Sequence, residues 1–138
     1  MRILSMDVGD RRIGMEVSDM LGWTAQGIAT LERKSTEEDL VQIEKIIHQY
    51  QPEKIVVGLP KNMNGTLGPQ GEKVKAFAET LEDRFNLEIV FWDERLTTVS
   101  AHKTMIEADM SRRKRKQKVD QLAAVLILQS YLDYLNRK

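Results

Sequence analysis

The spacing of apolar positions changes along this chain, and each change marks an element. Residues 2–8, RILSMDV, are mostly apolar, as a central strand would be. In RIGMEVSD (12–19), Ile13, Met15 and Val17 alternate with other residues, the period of a half-buried strand. GDRR between the two runs reads as a turn. A third strand is predicted over TAQGIATLER (24–33), so that three strands with short links form an antiparallel meander.

The period then becomes helical. In TEEDLVQIEKIIHQY (36–50), Leu40, Ile43, Ile46, Ile47 and Tyr50 share one face. Ser35 followed by Glu38 fits a capping box, and Pro52 closes the helix. KIVVGL (54–59) is a short β-branched strand, and GLPKNMNGTLGPQG is a loop rich in turn formers. A second amphipathic helix covers 72–85, with Val74, Phe77, Ala78, Leu81 and Phe85 on one face. LEIVFW (87–92) is a further strand, and helices are predicted from about Thr98 to Asp109 and from about Val119 to Asn136. The order βββαβαβαα implies right-handed parallel crossovers in its second half. The expected fold is α/β, one five-stranded mixed sheet covered by helices.

Length and composition narrow the class. A chain of 138 residues has room for a single domain over 1–138. With no cysteine, disulfides, thiolate zinc sites and cysteine nucleophiles are excluded, and a reducing cytoplasm is the natural setting. There is no apolar run long enough to span a membrane, and MRILSM meets Asp7 too soon for a signal peptide. Net charge is zero, from 21 basic and 21 acidic residues, but RRKRKQK (112–118) concentrates six basic residues in seven positions. Such a patch attracts phosphate even on a neutral protein.

Three acidic positions stand out. Asp7 lies in or at the end of the first strand. FWDERLTT runs a buried strand into Asp93 and Glu94, whose side chains should point to opposite sheet faces, so only one can share a face with a given partner. In the last helix Asp120 falls beside Ala123, Ala124, Ile127 and Tyr131, opposite Gln121, Gln129, Asp133 and Asn136. It is either a first-turn acid favoured by the helix dipole or a carboxylate on the packing face that needs a partner. If the first strand lies centrally beside the later parallel strands, the three acids converge. Their repulsion is then relieved by a divalent cation, and all-oxygen ligands suit Mg²⁺ or Mn²⁺.

MDVGDRRIG, VVGLPKNMNGTLGPQ, DERLTT and KVDQLAAVLILQSYL, in this order over nearly the whole chain, resemble the YqgF/RuvX family. That resemblance implies a ribonuclease H-like fold and a nuclease that processes the 5′ end of pre-16S ribosomal RNA. A four-way DNA (Holliday junction) resolvase is the alternative within the same family. It also implies Asp7, Glu94 and Asp120 as the catalytic and metal-binding acids, with Asp93 a further possible ligand. Expected partners are precursor rRNA or branched DNA, with ribosomal particles also in view, for a monomer or homodimer in the cytoplasm.

Other residues fit nucleic-acid contact. Lys61, Asn62 and Asn64 lie in the loop after a buried parallel strand, on the side where α/β sheets bind ligands. Arg112, Arg113, Lys114, Arg115, Lys116 and Lys118 lead directly into Asp120, and Arg12 and Arg95 are additional candidates for phosphate. His48, His102, Trp23 and Trp92 read as surface or packing residues. DVGDRRIG also resembles the phosphate hairpin of actin-like and sugar-kinase ATPases, but those need two such domains around a cleft and this chain has one hairpin. A non-catalytic RNA- or ribosome-binding factor is the rival from another class.

Overall fold

The computed structural model describes residues 2–19, 25–62, 64–93 and 127–135. Five strands form one mixed sheet: β1 (Ile3–Val8), β2 (Arg12–Ser18), β3 (Ala25–Glu32), β4 (Lys54–Leu59) and β5 (Glu88–Asp93). Their order across the sheet is β3-β2-β1-β4-β5. The first three form the antiparallel meander, whereas β4 and β5 run parallel to β1. Helix α1 (Thr36–Tyr50) carries the chain from edge strand β3 to β4, and α2 (Pro69–Phe85) carries it from β4 to β5. The first strand is therefore central, as the convergence argument requires.

Strand alternation divides the core in two. Leu4, Met6, Val8, Ile13, Met15, Ile55, Val57 and Leu59 meet Leu40 and Ile43 of α1 and Val74, Phe77, Ala78 and Leu81 of α2. On the opposite face Ile3 and Val56 pack against Ile127, Leu128, Tyr131 and Leu132 of the helical segment 127–135. Val90 and Trp92 join this second cluster, and the Trp92 indole N–H donates to Ser130 Oγ at 3.2 Å. The burial of Ile127 and Tyr131 matches the packing face expected for the last helix.

Element ends follow local chemistry. Ser35 caps α1, its hydroxyl accepting the Glu38 N–H at 3.1 Å and donating to Glu38 Oε1 at 3.2 Å. A cap of this kind contributes about 1 kcal/mol. Helix α2 begins three residues before the expected position 72, because Pro69 occupies its first turn with Gly68 as N-cap. Its entry is tight: a Cβ at Gly71 would stand 2.7 Å from the Pro60 carbonyl oxygen. Both helices end on left-handed residues, Gln51 and Asn86.

Two strand expectations are corrected. β2 is buried on both faces from Ile13 to Ser18, since it lies inside the sheet with cover on each side. β5 extends to Asp93, one residue past the predicted run, because Asp93 still pairs with Leu59. Among the described residues no helix is long and apolar enough to cross a membrane.

Candidate active site

Asp7 lies near the C-terminal end of the central strand, half-buried. Its cross-strand partner on β2 is Gly14. On the other side, Gly58 follows Val57, the β4 residue that pairs with Met6. Neither flank of Asp7 therefore carries a side chain along its row of the sheet. Alternation sets Asp7 on the face of Ile3 and Ser5, the face covered by the second cluster. The C-terminal ends of β1, β4 and β5 lie together beyond it, where parallel sheets bind ligands.

The turn after Asp7 is tightly held. Gly9 N–H donates to the Arg12 carbonyl at 2.8 Å, and a Cβ at Gly9 would sit 3.0 Å from that oxygen. Arg33 Nη1 donates to the Gly9 carbonyl at 3.0 Å, while Arg33 Nε donates to Asp39 Oδ2 at 3.2 Å. Lys73 of α2 forms a 3.6 Å ion pair with Asp10 at the exposed tip. The hairpin is thus tied to both helices.

Arg12 opens β2, exposed, and alternation puts it on the same face as Gly14 and Asp7. Lys61 is exposed just past β4. Asn62 and Asn64 both build the turn that follows: Asn64 Oδ1 accepts from Thr66 N–H at 3.1 Å, and Asn62 Nδ2 donates to Thr66 Oγ1 at 3.1 Å. Gly65 sits there at φ 86°, a conformation that suits glycine. Asp93 ends β5 one residue after Trp92, so it points to the sheet face opposite Asp7. The structure does not bring these two acids together. Glu94, Arg95, Asp120 and the basic residues Arg112, Arg113, Lys114, Arg115, Lys116 and Lys118 lie outside the described residues, as do His102 and Trp23. Exposed His48 and sheet-packed Trp92 are placed as their sequence context suggests.

One acid near Asp7 escaped the sequence reading. Glu16 pairs with Ser5 across β1 and β2, is 1% exposed, and shares the Asp7 face. Burial pushes its carboxyl well above the ordinary carboxylate range; the nearby Ser5 hydroxyl opposes this and the Asp7 charge adds to it. Among the described residues, neither Glu16 oxygen nor Ser5 Oγ has a hydrogen-bond partner. In IGMEVS the glutamate reads as the polar member of an alternating strand, and the cross-strand register that buries it is not written in the local sequence.

A five-stranded mixed sheet in this order, covered on both faces, places the chain in the ribonuclease H-like fold class. The chain matches the sequence profile of RuvX, described as Holliday junction resolvase, over residues 1–134, and it belongs to that family. A Clostridium tetani protein named as a candidate pre-16S rRNA nuclease is 59% identical over 138 residues, covering 100% of both chains. A Clostridium botulinum protein of the same name is 58% identical over 137 residues, covering 99% of this chain and 100% of its own. Among solved structures, Thermus thermophilus RuvC in complex with a Holliday junction substrate aligns with a TM-score of 0.62 at 10% identity, over 99% of this chain and 96% of that one. The fowlpox virus resolvase in complex with Holliday junction DNA aligns with a TM-score of 0.58 at 16% identity, over 98% and 99%. At these identities the structural likeness speaks for the fold.

Proposed function

We propose that this protein is a metal-dependent endonuclease that hydrolyses phosphodiester bonds at the 5′ end of pre-16S rRNA during cytoplasmic ribosome assembly. The observation that carries this reading is Asp7 near the C-terminal end of the central strand, flanked in its row by Gly14 and Gly58. The relatives named for pre-16S rRNA support the substrate, since they match the chain from end to end.

The donor set fits a hard divalent cation. Asp7 and Glu16 present carboxylate oxygens on one face, the donor type that Mg²⁺ or Mn²⁺ prefers. Such a cation, when bound, supplies Lewis-acid activation of the scissile phosphodiester and of the attacking water. The chain's residues have separate tasks. Asp7, Glu94 and Asp120 hold the cation. The opposite-facing position of Asp93 supports giving Glu94 that role. Arg12, Lys61, Asn62 and Asn64 border the described part of the site, while Arg95 and the basic run from Arg112 to Lys118 neutralise phosphates. No histidine is needed as acid or base, and exposed His48 is remote in function.

The second reading is a four-way junction resolvase, favoured by the family's description. It needs two active sites related by symmetry. The deciding experiment compares cleavage of precursor 16S rRNA with that of a four-way DNA junction in Mn²⁺, using wild type and Asp7→Asn. The expected result is cut RNA, an intact junction and loss of cutting in the variant. A cut junction with intact RNA selects the resolvase. Nucleic acid bound but never cut by wild type selects a non-catalytic binding factor.

A further inference from the structure

A glutamate whose oxygens find no partner among the described residues is costly at 1% exposure, since a buried polar group costs free energy unless it is hydrogen-bonded or bound to a cation. The row that contains Glu16 explains how it is accommodated. Its neighbour on β1 is Ser5, and its neighbour on β3 is Gly27. The β2–β3 register shifts between Met15 and Glu16, with Ile28 passed over. Such bulges re-aim side chains and are frequent beside active sites. Glu16 thus has only small neighbours beside it in its row, and the bulged residue Ile28 belongs to β3. Asp7 lies diagonally across from it, one row nearer the strand's C-terminal end, and its charge acts on Glu16. Long side chains reach each other across such diagonals.

We propose that Glu16 is a further metal-binding residue, supplying a carboxylate oxygen from the sheet side to the divalent cation held by Asp7. This rests on the metal-dependent reading of the site. The cation gives Glu16 the partner that the described residues lack, and it offsets the repulsion between the two acids. Ser5 Oγ, also without a partner among the described residues, lies two residues from Asp7 on the same face and in register with Glu16. Exposed acids form surface clusters without any ligand, but these oxygens are out of contact with water.

The test is direct Mn²⁺ binding without nucleic acid, by calorimetry and by the electron paramagnetic resonance of free Mn²⁺, to millimolar concentration. Wild type, Glu16→Ala, Glu16→Gln and Asp7→Asn are compared, with metal-free thermal melts in parallel. Expected is binding by wild type, weakened about tenfold or more in each variant. Metal-free Glu16→Ala and Glu16→Gln should melt no lower than wild type, which separates lost ligation from lost folding. Glu16→Gln keeps the packing if the alanine variant fails to fold. Binding by both Glu16 variants within twofold of wild type overturns the inference alone. Absence of Mn²⁺ binding in wild type overturns it together with the metal-dependent reading.

Discussion

Arg33 Nε donates to Asp39 Oδ2 at 3.2 Å, and this ion pair positions the guanidinium whose Nη1 holds the Gly9 carbonyl at 3.0 Å. Asp39 is 2% exposed and also accepts the Lys34 N–H at 3.0 Å. The guanidinium lies 4.8 Å from the centre of the Phe77 ring, which joins α2 to the same assembly. The turn after Asp7 is thereby fixed from the far side of the sheet. Asp39 is buried and Arg33 partly exposed, so truncating Asp39 removes two charge-assisted hydrogen bonds, at a cost of about 3 kcal/mol. Asp39→Ala should therefore lower the melting temperature by roughly 6–12 °C, and Asp39→Asn by less, because it retains an acceptor. Thermal denaturation followed by circular dichroism measures both. A shift below about 2 °C for the alanine variant would show that the pair does not anchor the turn.

Asp7 needs a bare flank. Directly paired residues carry their side chains on one face with Cβ atoms about 4.5–5.5 Å apart. Gly14 is Asp7's partner, so Gly14→Val would set a branched group against the carboxylate. The expected loss in cleavage rate is about a hundredfold, with a smaller loss for Gly14→Ala. Overpacking would also destabilise by about 1–3 kcal/mol, so rates are compared well below each melting temperature. Full activity in Gly14→Val would mean that substrate does not approach Asp7 along this row.

Glu16 gives the metal-free protein a pH-dependent stability. Its folded pKa is raised, first by burial, while the unfolded chain titrates near about 4.3. Above that value the folded state binds more protons than the unfolded one, so stability falls as pH rises until the folded pKa is passed. Below about pH 4 the penalty is absent. In EDTA, Glu16→Gln should lack this component, and its advantage in melting temperature over wild type should widen from pH 5 towards neutrality. A constant difference across that range would contradict a raised folded pKa.

Much of the fold is legible because local signals and tertiary needs agree. Ser35 and Pro52 bracket α1, which runs Thr36–Tyr50 as its periodicity predicts. The start of α2 is less plain, since Gly68 caps it without a side-chain hydrogen bond and only Pro69 marks the first turn. The place of Asp7 near the end of a strand that leads into a tight hairpin is legible from its apolar run and the glycines that follow. Two buried acids cannot. Asp39 enters the α1 interface because Arg33 crosses to meet it, and Glu16 is buried because register sets it between Ser5 and Gly27. Both depend on pairings between separate elements, whereas hydrophobic periodicity reports only which face a segment buries. Periodicity also gave β2 one buried face, because a charged residue hides the cover on its second.

The run RRKRKQK offers a test that does not depend on which atoms hold the metal. Each phosphate neutralised on single-stranded nucleic acid contributes about 0.7 to the slope of log affinity against log salt concentration. Replacing Arg112, Arg113 and Arg115 by glutamine removes up to three such contacts, so the slope should become shallower by about 2. The loss should be similar for RNAs of different sequence, because phosphates carry no base information. Asp7→Asn should leave the slope near the wild-type value, since that residue acts on the cation. Fluorescence anisotropy with a labelled precursor fragment, titrated at several KCl concentrations, measures both. An unchanged slope in the triple variant would assign the run to solvent and shift the phosphate contacts to Arg12, Lys61 and Arg95.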